Sequence, residues 1–152
     1  MAPVVIGVGN PCRGDDAAGL LVVERLDAGS SGLRALRHTG DGVGLIEAWG
    51  DAETVILVDA VVSGAPPGTI HRLSDAGEVP RRWFAHSTHL FGIAEAIGLA
   101  RVLGRLPARV LVFGIEGRTF KAGAPMTPKV AKAAEDLARE LPARLAQMLR
   151  AC

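Results

Sequence analysis

Three short apolar runs rich in β-branched residues constrain the fold of this chain more than any other feature of its sequence. They cover residues 4–8, 54–58 and 109–115, and each ends close to a glycine or an acidic residue. Runs of this length that are apolar throughout are typical of strands buried on both faces of a parallel sheet. Two weaker patterns predict further strands at residues 33–38 and 68–73.

Helical hydrophobic patterns separate these strands. They predict helices at residues 16–26, 45–49, 88–103 and 128–149. Pro142 falls inside the last helix and is expected to kink or interrupt it. Strands that alternate with helices favour a mainly parallel, twisted central sheet with helices on both faces, so the predicted fold class is a three-layer α/β sandwich. Ligands bind such sheets at the carboxyl ends of the strands.

Length and composition indicate a single domain over residues 1–152. A chain of 152 residues that is 49% hydrophobic is long enough for one complete core and too short for two ordinary domains. With 17 basic and 16 acidic side chains its formal net charge is +1, so no nucleic-acid partner is expected. The N-terminal apolar run is too short for a signal peptide or a membrane span. We therefore expect a cytoplasmic protein without membrane insertion, in which Cys12 and Cys152 stay reduced.

The loop after the first strand, "GVGNPCRGDDAAG", combines a glycine turn with two adjacent carboxylates. Gly7 and Gly9 fit the start of a dinucleotide-binding fingerprint, but Cys12 stands at the position of its third glycine. Asp15 and Asp16 would also repel a pyrophosphate, whereas they suit a cation or a water molecule that must lose a proton. One of the two aspartates is explained as a cap of the following helix. The other aspartate is not explained by capping, which indicates a functional role.

A further carboxylate and an imidazole are expected at the same edge of the sheet. Asp59 directly follows the second apolar run. Ser87 and Thr88 are candidate N-caps, which would put His89 in the first turn of a helix with a neutral imidazole that can bind metal. His86 competes with His89 for this role. Two carboxylates and one imidazole suit a divalent transition metal. Taken alone, an Asp after a strand more often bonds the backbone of a turn, and a histidine of this kind is more often a partly buried surface residue.

Four blocks of sequence, in order, resemble the maturation endopeptidases of nickel-iron hydrogenases. The blocks are "GVGNPCRGDDAAG", "VILVDAVVSGAPPGTI", "STHLFGIAEAI" and "VLVFGIEG" with "GAPMTPKV", and together they extend over nearly the whole chain. The resemblance implies an α/β fold and an endopeptidase that removes the C-terminal extension of a hydrogenase large-subunit precursor after nickel insertion.

The same resemblance implies roles for particular residues. Asp16, Asp59 and His89 match the family's nickel-contacting positions, and we expect them to carry both metal contact and catalysis. Asp41 falls in a glycine-rich loop that the family places near the site. Nickel would arrive with the precursor, so weak metal binding by the isolated protein is expected.

Two other functions remain open at this point. A non-catalytic, nickel-dependent chaperone or sensor would bind the precursor through the same three residues without cutting it. The segment "GVGNP" also matches the opening of peptidyl-tRNA hydrolases. That second function is disfavoured by the near-neutral charge, and because Asp15 and Asp16 lie in the region where those enzymes have their catalytic histidine.

Overall fold

The computed structural model has one five-stranded sheet at its centre. The structure describes residues 3–29, 33–74 and 79–150. The strands are β1 (Val4–Val8), β2 (Arg34–His38), β3 (Thr54–Val61), β4 (Ile70–Leu73) and β5 (Arg109–Glu116). Their order across the sheet is β2-β1-β3-β5-β4. The antiparallel pair is β4 with β5, and the other neighbours run parallel, so the sheet is mainly parallel as predicted.

Helices in the described part of the chain cover both faces of this sheet. They are α1 (Ala18–Gly29), α2 (Gly42–Trp49), α3 (Ile93–Leu103) and α4 (Pro128–Arg150). Because strand side chains alternate, Val58 of β3 packs towards α1 and α4, whereas Leu57 packs towards α2 and α3. The predicted α/β sandwich is confirmed, and its extent as one domain over residues 1–152 stays a prediction.

The register of the sheet brings the ends of β1 and β3 together. The pairing of β1 with β3 ends at Gly7 opposite Val58, but β3 continues to Val61 because it stays paired with β5. Asp59 therefore lies within β3, and the prediction that it follows the strand is wrong. It is the first β3 residue beyond the pairing with β1, so its carboxylate lies beside the loop that leaves β1.

Helix α3 begins at Ile93, so the predicted position of His89 in a first helical turn is wrong. Gly92 is the N-cap residue, and its N–H donates to the side chain of Glu95 at 2.9 Å. Ser87 does not cap the helix. Its hydroxyl oxygen instead accepts a hydrogen bond from the backbone N–H of His89 at 3.1 Å. His89 therefore lies in a loop, and the helix-dipole argument for its neutral state does not apply.

The first and last helices also differ from the prediction. A 3₁₀ helix at Gly14–Ala17 precedes α1, which begins two residues later than residue 16. Helix α4 continues through Pro142, so the predicted interruption does not occur. The buried residues Leu141 and Leu145 flank the proline, and their packing offsets the hydrogen bond that it removes.

Two expectations about the chain as a whole, on membrane spans and on the cysteines, can be compared with the described residues only. Among the described residues, no helix is both long enough and apolar enough to cross a membrane. Cys12 is exposed and forms no disulfide with any described residue, and Cys152 lies outside the described residues, so the reduced state of the two cysteines stays a prediction.

Candidate metal centre at the carboxyl end of the sheet

Close backbone packing positions the loop between β1 and α1. A Cβ atom at Gly9 would lie 1.9 Å from the backbone oxygen of Asp16, and one at Gly7 would lie 2.2 Å from that of Gly19. A side chain at Gly9 would push the segment that carries Asp16 away from the strand, and one at Gly7 would push away the start of α1. The two glycines thus allow close approach of backbone to backbone, which is how they hold Asp16 at the end of β1.

Asp15 is the structural member of the aspartate pair. It is completely buried and accepts four hydrogen bonds from the loop between β5 and α4, at 2.6–3.0 Å. The donors are the backbone N–H groups of Arg118, Thr119 and Thr127 and the hydroxyl of Thr127. Burial alone would raise the pKa of Asp15, but these hydrogen bonds outweigh it and hold that pKa below its ordinary value. Asp15 therefore ties the segment between β1 and α1 to the loop between β5 and α4.

Asp16 and Asp59 bring their carboxylates together in the interior. The two residues are 6% and 4% exposed. Asp16 accepts a hydrogen bond from the backbone N–H of Asn10 at 3.0 Å and lies 3.6 Å from Nη1 of Arg13. Asp59 accepts one from the N–H of Ala60 at 2.8 Å. Burial and the neighbouring charge of Asp16 raise the pKa of Asp59 well above its ordinary value, so a cation between the two would relieve their repulsion.

Two histidines lie near this carboxylate pair. A ring nitrogen of His86 and one oxygen from each of Asp16 and Asp59 lie within 4.8 Å of one another. The Nε2 atom of His86 is 3.5 Å from Oδ1 of Asp16, and the His86 ring stacks on Phe120 with centroids 4.3 Å apart. Among the described residues, His89 is not part of this group. The structure thus brings together two of the three predicted residues, with the competing histidine beside them.

A cleft lies beside the carboxylates of Asp16 and Asp59 at the carboxyl end of the sheet. It consists of two adjoining cavities of about 370 and about 360 Å³. The residues that line both are Val8, Asp59, Ser87 and His89. Asp16 lines the first cavity, whereas Arg82 and Leu90 line the second. His86 is not among the described residues on either wall of these two cavities, whereas His89 lines both.

Asp41, expected near the site, has a capping role. It is the N-cap residue of α2, and its Oδ2 accepts a hydrogen bond from the N–H of Gly44 at 3.1 Å. The neighbouring His38 accepts one from the N–H of Gly40 on its Nδ1. Burial lowers the pKa of His38, and nearby His89 adds to that effect against the opposing charge of Asp41. This loop therefore forms the wall beside His89 without adding a carboxylate to the cleft.

A second polar network was not predicted from the sequence. Glu116 of β5 accepts hydrogen bonds from the backbone N–H and the hydroxyl of Ser63, and lies 3.0 Å from Nε2 of His71. These residue types could suggest a nucleophilic triad. Both Ser63 and Glu116, however, contact the same ring nitrogen of His71, so the imidazole does not bridge them as a triad requires. The network joins the end of β3 to β4 and β5.

Comparison with known proteins identifies relatives of this chain. The family model described as hydrogenase maturation protease matches residues 18–143. The hydrogenase expression/formation protein HupD of Thiocapsa roseopersicina is 35% identical over 118 residues, which cover 74% of this chain and 53% of the relative. The hydrogenase 2 maturation protease of Escherichia coli is 30% identical over 135 residues, which cover 86% and 82%. The chain thus spans only about half the length of some curated relatives, including HupD.

Solved structures extend the similarity to the whole fold. An endopeptidase from Escherichia coli aligns with a TM-score of 0.82 and 27% identity, covering 97% of this chain and 94% of the other. The hydrogenase maturating endopeptidase HybD from the same organism shares the fold, with a TM-score of 0.79, 23% identity and the same coverage. The resemblance carried by the four sequence blocks is therefore confirmed: this chain belongs to the hydrogenase maturation protease family.

Proposed function

We propose that this protein is an endopeptidase that removes the C-terminal extension from the large-subunit precursor of a nickel-iron hydrogenase. Membership of the maturation protease family supports the reaction class. The observation that carries the proposal is the meeting of two buried carboxylates, Asp16 and Asp59, beside an open cleft with His89 on its wall. Such a site can receive an extended peptide and a cation together.

The nickel ion of the precursor is proposed as the feature that the protease recognises. Carboxylate and imidazole groups bind divalent transition metals. Because the negative charges of Asp16 and Asp59 repel each other in a buried setting, a precursor that presents a cation between them binds better than one that does not. His89 lines both parts of the cleft and is the imidazole that an entering precursor meets. In this proposal nickel belongs to the substrate.

The proposed reaction is the hydrolysis of one peptide bond. Water adds to the scissile carbonyl carbon, the C–N bond breaks, and the leaving amine takes up a proton. Two routes fit the same residues: a carboxylate of the pair acts as general base on the water, or the nickel ion polarises the carbonyl. The products are the shortened subunit, with a new C-terminal carboxylate, and the free extension. A cytoplasmic location stays a prediction.

Intact mass of a co-encoded precursor, nickel-loaded and nickel-free, after incubation with the protein tests this function. We expect loss of a C-terminal peptide from the loaded form alone. Asp16→Ala and His89→Ala should abolish the loss while the fold is kept, and Asp136→Asn, on the exposed side of α4, is the matched carboxylate control. Binding of a matched precursor without cleavage would support the non-catalytic chaperone or sensor instead.

A further inference from the structure

Arg82 is an exposed cation at the cleft without a partner in the part of the chain that the structure describes. It belongs to the 3₁₀ helix Arg81–Phe84 and lines the cavity of about 360 Å³, which we call the arginine cavity. Its neighbour Arg81 forms an ion pair with Glu95, but no described carboxylate pairs with Arg82. The charge of Arg81 is therefore balanced within the molecule, whereas that of Arg82 is available to a ligand in the cavity.

The segment that carries Arg82 is fixed to the sheet through the next residue, Trp83. The backbone oxygen of Trp83 accepts a hydrogen bond at 2.9 Å from the N–H of Val62, the residue after β3. The ring of Trp83 packs against that of His71 in β4, with centroids 4.7 Å apart. The backbone oxygen of Arg82 accepts a hydrogen bond from the N–H of Ala85 at 3.3 Å. Because the backbone of Arg82 is held in place, only its side chain has to be ordered when a ligand binds.

The two parts of the cleft differ in charge. Asp16 lines the cavity of about 370 Å³ and Asp59 lines both cavities, whereas Arg82 lines the arginine cavity alone. A peptide that complements the whole cleft therefore brings a cation to the carboxylates and a carboxylate to Arg82. In the proposed function, nickel is that cation and stays with the shortened subunit. The chain that continues from the scissile bond, away from the nickel, is the C-terminal extension.

We infer that Arg82 binds a carboxylate of the precursor's C-terminal extension, and that the position of this carboxylate contributes to the choice of precursor. The inference rests on the proposed function, because it concerns the same precursor in the same cleft. An acidic side chain of the extension and its terminal carboxylate offer the same chemistry. A guanidinium binds either one with two parallel hydrogen bonds.

The test is the processing rate of a co-encoded, nickel-loaded precursor, measured as a function of its concentration. We compare the wild type with Arg82→Gln, and with Arg101→Gln as a control that removes an exposed arginine of α3 that is not among the described residues lining the cleft. An exposed ion pair changes affinity by a factor of up to about five, so Arg82→Gln should raise KM about fivefold while kcat changes less than about twofold. The difference from the wild type should shrink as salt is raised to about 1 M. Equal KM values for the two variants would overturn the inference.

The precursor supplies the other half of the test. Each acidic residue of its extension is replaced by the corresponding amide, one at a time, and in a further variant two added residues displace the terminal carboxylate. One of these changes should raise KM about fivefold for the wild type and have no further effect on Arg82→Gln. That change identifies the carboxylate as a side chain or as the terminus. Effects that are the same in both proteins for every change would overturn the inference.

Failure of the proposed function gives a different result from failure of this inference. A loaded precursor that the wild type binds without cutting contradicts the endopeptidase. The affinities of the wild type and of Arg82→Gln for that precursor, measured by calorimetry, then test the contact with Arg82 directly. A precursor that both proteins cut with the same KM contradicts the inference alone.

Discussion

The carboxylates of Asp15 and Asp16 are adjacent in the chain but belong to different parts of the molecule. The first accepts four hydrogen bonds from the loop between β5 and α4, and the second lies beside Asp59 and lines the cleft. This division explains why a glycine turn delivers two aspartates where a nucleotide-binding loop would present bare backbone. One holds the loop in place so that the other can face the site.

Asp15→Asn should therefore destabilise the fold more than Asp16→Asn does. An amide accepts fewer of the four hydrogen bonds and leaves buried donors unpaired, so the free energy of unfolding should fall by about 3 kcal/mol. Asp16 accepts one backbone hydrogen bond, which an amide oxygen can also accept, and its substitution should cost less than about 1 kcal/mol. Urea denaturation followed by circular dichroism measures both values. Equal losses in the two variants would contradict the division of roles.

Asp59→Asn should make the fold more stable and abolish processing of the precursor. Burial and the charge of Asp16 make a negative charge at Asp59 unfavourable, as the raised pKa of Asp59 indicates. The neutral amide removes that repulsion, so we expect the free energy of unfolding at pH 7 to rise by about 1 kcal/mol. Processing of the nickel-loaded precursor should be lost. The thermal midpoint and the precursor mass are measured on the same preparation, and a variant that is less stable than the wild type would show that Asp59 serves the fold.

The strands could be predicted because an apolar, β-branched run is stable only between two covering layers. Strand β1 matches the predicted range, and β5 extends one residue beyond it. The approach of Asp16 to Asp59 could also be predicted in outline, since the ends of neighbouring parallel strands share one edge. The position of Asp59 within β3 could not, because that strand is extended by pairing with β5, which the local pattern does not contain.

The positions of His86 and His89 could not be predicted from the sequence. Ser87 is as well suited to a turn as to a helix cap, and the competing cap formed by Gly92 and Glu95 moves the start of α3 to residue 93. Phe120 packs against the ring of His86, and Arg13 donates a hydrogen bond to its backbone oxygen; both residues are distant in the chain. Local patterns carry no signal for such contacts. The sequence could name both histidines, but only the structure shows that His89 lines the cleft and that the side chain of His86 is buried beside Asp16.

Leu90 provides a test of the cleft as the binding surface for the precursor. Leu90 is 97% exposed beside Asp59 and His89, and the adjacent Phe91 is 38% exposed; exposed apolar surface of more than one residue at a site is typical of contact with a partner. Leu90→Ser should leave the free energy of unfolding within about 0.5 kcal/mol of the wild type. The processing rate at low precursor concentration should fall by about tenfold, which corresponds to about 1.4 kcal/mol of lost contact.

The matched control for this substitution is Val102→Ser. Val102 is 84% exposed on α3 and is not among the described residues that line the cleft. Its substitution should change neither stability nor processing. Equal rates for the two variants would show that the precursor does not contact the cleft at Leu90.

Glu116 should make the stability of the fold depend on acid pH. Burial alone would raise the pKa of Glu116, but the hydrogen bonds from Ser63, His71 and Gly64 outweigh it and hold that pKa below its ordinary value of 4.5. The folded state therefore favours the ionised form. The stabilisation is present above about pH 4.5 and is lost as the pH falls through the lower, folded-state pKa of Glu116.

Glu116→Gln isolates this contribution from that of the other carboxylates. At pH 6 the variant should be about 2 kcal/mol less stable than the wild type, because it loses hydrogen bonds to a charged acceptor. The difference should shrink as the pH falls below 4.5 and through the lower, folded-state pKa of Glu116, because the wild-type carboxylate then also becomes neutral. Urea denaturation of both proteins at each pH measures it. A difference that stays constant down to pH 3 would mean that the network of Ser63, His71 and Glu116 stabilises the end of β3 through shape and packing, with no contribution from the charge.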